Sequence, residues 1–486
     1  NNTILGYEAA GKLTTGGDNV AVGRAALLDT TTQSGNVAIG VEALENNTAN
    51  ENVAVGKQAL NDNTSAVNNT AVGSFALSKN TTAANNTAVG KDSLCANTTG
   101  TANVAVGHNS LDANTTGSNN TAMGRNALGK NIASGSNTAF GGNTLACNTA
   151  GQFNTAVGYD ALLLNTASEN TAVGTDSLRA NTTGTNNSAL GRFTMTANIS
   201  GSSNVGIGND ALRTNTTASN NTAVGYCSLK ANTTGSKNVV VGTDAGVCNT
   251  TTSCNVYVGF EAGKLKTNGD NTAVGACALP AAGDGYQNTS IGQRSMCTLT
   301  TGYQNTAIGN NALGKATTGF RNNAVGNGAL NSVTTGAGNL AIGNDAGAQG
   351  AMIDITGEDN RAVIGHSGIT NAYVKVAFTV TSDARDKMNF GTVPHGLDFV
   401  NKLEPVSFQF KKSRTNDTPH GDLRYGFKAQ DIMALEGDNP VIIDNEFEDA
   451  LKYKGEHLVP VLVNAIKELS ETNKDLKSRI EALENS

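Results

Sequence analysis

Asn221-Thr222-Ala223-Val224-Gly225 is one of 21 copies of a pentad whose spacing decides the fold of this chain. It returns as Asn36-Val37-Ala38-Ile39-Gly40, Asn69-Thr70-Ala71-Val72-Gly73, Asn86-Thr87-Ala88-Val89-Gly90 and Asn305-Thr306-Ala307-Ile308-Gly309. The opening asparagines stand at 2, 19, 36, 52, 69, 86, 103, 120, 137, 154, 170, 187, 204, 221, 238, 255, 271, 288, 305, 322 and 339, 17 residues apart except for three spacings of 16. The full period reads N-T-A-V-G-x-x-A-L-x-x-N-T-T-G-x-x, its second half plain in Ala211-Leu212 followed by Asn215-Thr216-Thr217.

Seventeen residues cannot hold a pair of helices, and a glycine in each pentad would break any helix long enough to pack. Short β-prone pieces bounded by Asn and Gly instead suit one rung of a solenoid, with Gly and Asn at the corners because both accept positive φ. Stacking puts like over like, so continuous Val and Leu ladders and an amide ladder of Asn are expected. At about 4.8 Å per rung the stack is a mostly β rod on the order of 100 Å long. The apolar content of one rung is little more than Ala, Val, Ala and Leu, a thin core for one chain. Side-by-side packing of identical chains, close at the Ala positions, would supplement it.

Composition agrees. The 486 residues include 57 Gly, 6 Pro and no Trp, with 15% charged and 5% aromatic, proportions that argue against several compact enzyme-like domains. A net charge of −7 without a Lys/Arg stripe speaks against nucleic acid as a partner. No apolar run approaches about 18 residues, so membrane insertion is not expected. The chain opens inside a repeat without Met, and an N-terminal attachment region beyond Asn1 is expected.

After Gly343 the period fails, with Asn360 to Gly365 as a last degenerate copy 21 residues on. The reading is therefore a shaft over 1–345, a transition segment over 346–381 and a separate α+β domain over 382–486. From Ser382 onward about 31% of residues are charged, against about 10% before it. Pro405 to Phe410 alternates like a strand, and Asp422 to Ile432 runs from strand into helix. Over 458–484, Leu462, Leu469, Leu476 and Leu483 recur every seven residues with Ile466, Asn473 and Ile480 interleaved, a coiled-coil seam. The a and d rules alone favour two strands, with Asn473 fixing register.

Residues 2–345 resemble the head repeats of trimeric autotransporter adhesins, whose N-S-V-A-I-G motif is close to Asn36 to Gly40, and the N-T-A-x-G repeats of tail-fibre-type surface proteins. Their shorter repeat lacks the A-L-x-x-N-T-T-G half, which must form an added corner here. The C-terminal domain carries Ser382-Asp383-Ala384-Arg385-Asp386-Lys387, then Leu403-Glu404-Pro405, Gly426-Phe427-Lys428-Ala429-Gln430-Asp431 and Leu458-Val459-Pro460. It resembles the intramolecular chaperone of endosialidase-type phage tailspikes and tail fibres, also found in myelin regulatory factor; Lys428 departs from the more hydrophobic residue familiar there. The resemblance implies a homotrimer, folded with the help of this domain, which then cuts itself off before the Ser of its S-D-x-R-x-K motif. Ser382 would be the nucleophile, Lys387 the general base and Thr381-Ser382 the bond cut, with Asp383, Arg385, Gly426, Phe427 and Gln430 completing the motif. A Ser hydroxyl needs a base within reach, and residues five apart do not meet on one helix, so a loop or a partner chain must complete the pair. The alternative is that Ser382 simply caps a helix, with Asp383 in its first turn.

The function implied is a virion tail fibre or spike, assembled in the host cytoplasm and attached through its missing N-terminus to a phage baseplate. Its partner would be a host cell-surface receptor of glycan type. Rival readings are a bacterial surface or vesicle adhesin fibre with a cell-surface anchor, an ice-binding solenoid on the Thr columns, and a depolymerising tailspike. No cofactor or metal is expected: the five His show no ligand spacing and no calcium repeat is present. The seven Cys form no C-x-x-C pair; Cys248 and Cys254 would be the pair to bridge, against a default of small buried thiols. Asp160, Asp176 and Asp210 share one repeat position and need not be a glycosidase pair. Tyr257, Tyr286, Tyr303 and Phe320 are candidates for a sugar-binding face, with packing as the alternative.

Overall fold

The computed structural model describes residues 1–485 except 282, 350–352, 367, 370–372, 376–381, 414–415 and 447–450, together with the side chains of 412 and 413. Each repeat is one rung carrying one three-residue strand, from β1 (Thr3–Leu5) to β22 (Ala362–Ile364). From β1 to β21 (Leu340–Ile342) each strand pairs in parallel with the next, one repeat apart, as in Thr222↔Val239, Ala223↔Val240 and Val224↔Val241. The pentad glycine ends each strand at a positive φ, 138° at Gly73. A Cβ there would lie 2.4 Å from the Gly90 carbonyl oxygen, so only glycine lets successive rungs close up.

The expected Leu ladder is present, with Leu44, Leu60, Leu77 and Leu94 fully buried, but the expected Val ladder is not part of the core. Side chains alternate along a strand. With only three positions, the central alanine (Ala71, Ala88, Ala223) points inward and both flanking residues point out. The corners also differ from expectation. Besides Gly and Asn, most rungs place a further side-chain-bearing residue and a Leu at positive φ, as with Asp210 at 60° and Leu212 at 50°. That backbone costs a non-glycine residue about 1–2 kcal/mol, and full burial of a leucine side chain, about 1.5–3 kcal/mol, offsets it.

Two asparagine ladders run along the interior, as the period predicts. In the first, the Asn221 N–H donates to Asn204 Oδ1 (3.0 Å) while Asn221 Nδ2 donates to the Gly235 carbonyl (2.9 Å). In the second, Asn215 Nδ2 donates both to Asn198 Oδ1 (2.8 Å) and to the Ala218 carbonyl (3.0 Å). From Asn19 onward these amides are buried, where an unpaired one would cost about 1–3 kcal/mol. The first threonine of the Asn-Thr-Thr corner holds the rungs together too: Thr98 Oγ1 donates to the Thr115 carbonyl (3.0 Å).

The period is broken most deeply between residues 240 and 290. Tyr257 takes an inward alanine position and is fully buried, its hydroxyl donating to Asn255 Oδ1 (2.9 Å). Its ring fills the space that two leucines leave: Gly246 and Gly263 replace Leu, and a Cβ on them would meet the ring at 3.0 and 2.6 Å. The second Asn ladder ends at Asn249, and its next position is Lys266, fully buried, its Nζ donating to the carbonyls of Leu299 (2.6 Å) and Thr300 (3.3 Å). Beyond it the column turns apolar with Leu299, Ala316, Val333 and Ile355. The last copy sits one residue later than the sequence spacing indicates. Arg361, not Asn360, takes the asparagine place, its N–H donating to Asn339 Oδ1 (2.9 Å), while Asn360 turns the corner at φ 58°.

The described chain divides into two units, Asn1–Ala348 with Ile355–Val363, and Gln349–Asp354 with Ile364–Ser486. The second is α+β. Helix α1 (Leu397–Val400) precedes an antiparallel hairpin of β23 (Val406–Ser413) and β24 (Asn416–Gly426), then α2 (Ala429–Glu436), a short pair β25 (Ile443–Asp444) with β26 (Lys452–Tyr453), and the 30-residue α3 (Gly455–Glu484). Its core is small: Phe399, Ile432, Ile442, Ile443, Leu458 and Val461. Among the described residues no helix is long and apolar enough to cross a membrane.

Candidate functional site

The Ser382 to Lys387 segment folds into a tight turn rather than a helix. Asp383, not Ser382, caps the 3-10 turn Ala384–Asp386, accepting the Arg385 N–H at 2.8 Å. Lys387 leaves the turn extended, at φ −122° and ψ 152°, which swings it back over the start of the segment. Its Nζ reaches Ser382 Oγ at 2.6 Å, so the turn brings together two residues that a helix would hold apart. The cation of Arg385 is committed elsewhere: Nε and Nη2 bind the Asp383 carboxylate at 3.1 and 2.6 Å. Hydrogen bonds from the Arg385 side chain and backbone hold the Asp383 carboxyl below its ordinary range. Ser382 and Lys387 are both exposed in the single chain, and Thr381 lies outside the described residues.

The other motif residues lie in the hairpin and helix that follow. Gly426 ends β24 opposite Val406, where a Cβ would press on the Phe408 ring at 3.0 Å. Phe427 packs on the small core and against Tyr453, ring centroids 5.9 Å apart. Gln430 is exposed in the first turn of α2. Glu436, at the end of α2, accepts the N–H groups of Val441 (2.9 Å), Ile442 (2.7 Å) and Ile443 (3.0 Å). Two α3 side chains hold the segment before α1: Glu468 accepts the Leu397 N–H at 2.7 Å and Asn464 donates to the His395 carbonyl at 3.0 Å. Glu468 falls in the stretch Ala465 to Leu469 into which the Leu458-Val459-Pro460 signature leads, whereas Asn464 precedes that stretch and only its place beside the heptads could have singled it out.

The seam of α3 is open along its length. Leu462, Ile466, Leu469, Leu476, Ile480 and Leu483 are all exposed, Ile466 at 65%, and Asn473 lies exposed among them.

Other candidates resolve differently. Asp160 and Asp176 share Arg179 (3.6 and 3.4 Å), and Asp210 meets Arg213 (3.2 Å) and Lys230 (3.8 Å), a surface charge ladder rather than two carboxyls across a cleft. All seven cysteines are free thiols; Cys227 is buried, whereas Cys248 and Cys254, the candidate pair, are exposed and unbridged. Tyr257 lies in the core and leaves the sugar-face candidates. Among the described residues no three His, Cys, Asp or Glu side chains gather as metal ligands would.

The chain thus consists of a repeat solenoid and a separate small α+β unit. Residues 382–440 match the family model described as chaperone of endosialidase, beginning at the serine of the turn. No curated protein matches the chain. A β-solenoid of about 20 turns is thus followed by a region that is similar, over residues 382–440, to the chaperone of endosialidase.

Proposed function

We propose that the chain is one protomer of a homotrimeric attachment fibre, a phage tail fibre or spike, whose C-terminal domain assembles it and then releases itself before Ser382. The observation that carries this reading is the outward face of the strand column. The third strand position forms an unbroken apolar stripe from Leu5 through Ile39, Val72, Phe140 (52% exposed), Leu190 (49%), Ile207 and Ile308 to Ile342. About 21 rungs at 4.8 Å by one side-chain width of about 7 Å give on the order of 700 Å², above the few hundred Å² that a monomer ordinarily leaves exposed. With the open α3 seam it offers two self-complementary surfaces on one chain, at both of which copies of the chain associate. The small core of the C-terminal unit and its long hairpin point the same way, since a two-stranded hairpin is marginal alone.

In the assembled domain the Ser382 hydroxyl attacks the Thr381 carbonyl carbon. Lys387 takes the hydroxyl proton and returns it to the departing Ser382 nitrogen, leaving an ester that water hydrolyses to a Thr381 carboxylate and a free Ser382 amine. A lysine accepts that proton only where its charge is disfavoured. Because Lys387 is exposed in the single chain, a partner chain completes the site, and cleavage follows assembly.

Native mass tests the fibre. Wild type is expected at three chains. Leu190→Lys with Ile308→Lys, both on the outward stripe, together with Leu469→Asp on the seam, is expected to give monomers with an unchanged β spectrum. A monomeric wild type would sink the reading. Attachment at a bacterial surface, the rival, is separated from the virion by which particle carries the protein when it is labelled in place.

A further inference from the structure

The geometry points to a binding site for a carboxylated surface glycan on the aromatic stack Tyr286, Tyr303 and Phe320, a deepening that rests on the attachment reading above. These residues occupy one column, two positions before the pentad asparagine. In the other rungs it holds Gly, Ala, Ser, Thr, Asn or Gln, apart from Val67 and, in the last copy, Asp359. The three rings stack in nearly parallel planes, at centroid spacings of 5.1 and 4.9 Å and interplanar angles of 2° and 6°. Tyr303 covers one face of Tyr286; on the other side the column holds Gly269, which has no side chain to cover it, and Tyr286 is 38% exposed. A pyranose ring can therefore stack there, as sugars do on aromatic faces that are apolar on the ring and wet at the rim.

The neighbouring column supplies polar groups in the same order. Gln304 Nε2 donates to Gln287 Oε1 (3.1 Å) and Arg321 Nε donates to Gln304 Oε1 (3.1 Å), a row of planar amides ending in a guanidinium. That guanidinium also lies 5.9 Å from the Phe320 ring, and among the described residues no carboxylate pairs with it. At the opposite end Asp284 accepts Thr267 Oγ1 (2.8 Å) beside Asn268, acceptors and donors suited to sugar hydroxyls. The site is thus polarised along the rod: neutral sugar at Tyr286, and an acidic one at Arg321, whose fork matches a carboxylate in two parallel bonds.

The test uses the full chain on an array of immobilised neutral, sulfated and carboxylated oligosaccharides, followed by titration with the best-retained one. Wild type is expected to retain a carboxylated oligosaccharide. Tyr286→Ala is expected to weaken it by about tenfold or more. Arg321→Gln, an exposed change that leaves the fold intact, is expected to erase the preference over the neutral counterpart. The proposal is overturned if wild type retains no carboxylated oligosaccharide, if neither variant changes binding, or if Tyr286→Ala changes the native mass, which would make the rings a joint between chains. Native mass keeps the two readings apart. A trimer without glycan binding loses only this site, and a glycan-binding monomer loses only the fibre.

Discussion

Lys266 is the residue at which the rod departs furthest from its own rule. Burial in the asparagine column, against the milder opposing pull of Asp284, lowers its pKa from 10.5 to about 8. The folded state therefore binds the proton less well than the unfolded chain, so stability rises with pH between about 8 and 10.5 and the full burial penalty is carried below about 8. Lys266→Met, similar in length and uncharged, is expected to raise the thermal midpoint at pH 7 and to flatten that pH dependence, as read by melting curves from pH 7 to 10.5. Loss of stability in the variant would mean that the two carbonyl contacts, to Leu299 and Thr300, outweigh the buried charge. Tyr257 makes the complementary case. Tyr257→Ala opens a cavity flanked by Gly246 and Gly263, and a loss of about 3–5 kcal/mol is expected by analogy with other large-to-small core changes. Restoring Leu at Gly246 and Gly263 in the Tyr257→Ala background is expected to recover most of it, because the consensus rung fills the same space that way; recovery is read by denaturant melts.

At the scale of the element, stability lies in columns rather than in any one strand. Asn221→Ala removes an acceptor for the Asn238 N–H (3.0 Å) and a donor to the Gly235 carbonyl (2.9 Å). The expected cost is about 1–3 kcal/mol, felt mainly by adjoining rungs since each rung touches only its neighbours. Amide hydrogen exchange checks this: faster exchange confined to the strands near residues 205–240 supports the column model, and uniform acceleration from end to end opposes it. The sequence period made the rungs, the parallel stacking and the amide ladders legible, because a repeat whose like residues superpose leaves few other folds. It did not show which apolar residues face inward. Val224 and Leu212 look alike as letters; a three-residue strand points valine outward, while a leucine at φ 50° turns in. Nor could it show that Tyr257 is core and Tyr286 surface, since that depends on where the ring falls within the rung.

For the whole molecule, the seam of α3 and the turn at Ser382 were legible from spacing and motif, and the structure adds the 2.6 Å approach of Lys387 to Ser382. What one chain does not contain is the surroundings that would make Lys387 a base, because both residues are exposed in it. The proposal therefore couples cleavage to assembly, and that coupling gives it its strictest test. Wild type is expected to split on a denaturing gel into pieces of about 381 and 105 residues, as the position of Ser382 in the 486-residue chain requires. Ser382→Ala and Lys387→Met are expected to stay whole and trimeric, since neither side chain contributes to a described core or to the seam. Leu469→Asp is expected to stay whole for the other reason, having lost the partner rather than the dyad. If Leu469→Asp gave monomers that still split at the wild-type rate, the dyad would be complete within one chain and the coupling would be wrong. If Ser382→Ala split as wild type does, another group would be the nucleophile, while the rod, its stripe and its trimer would stand.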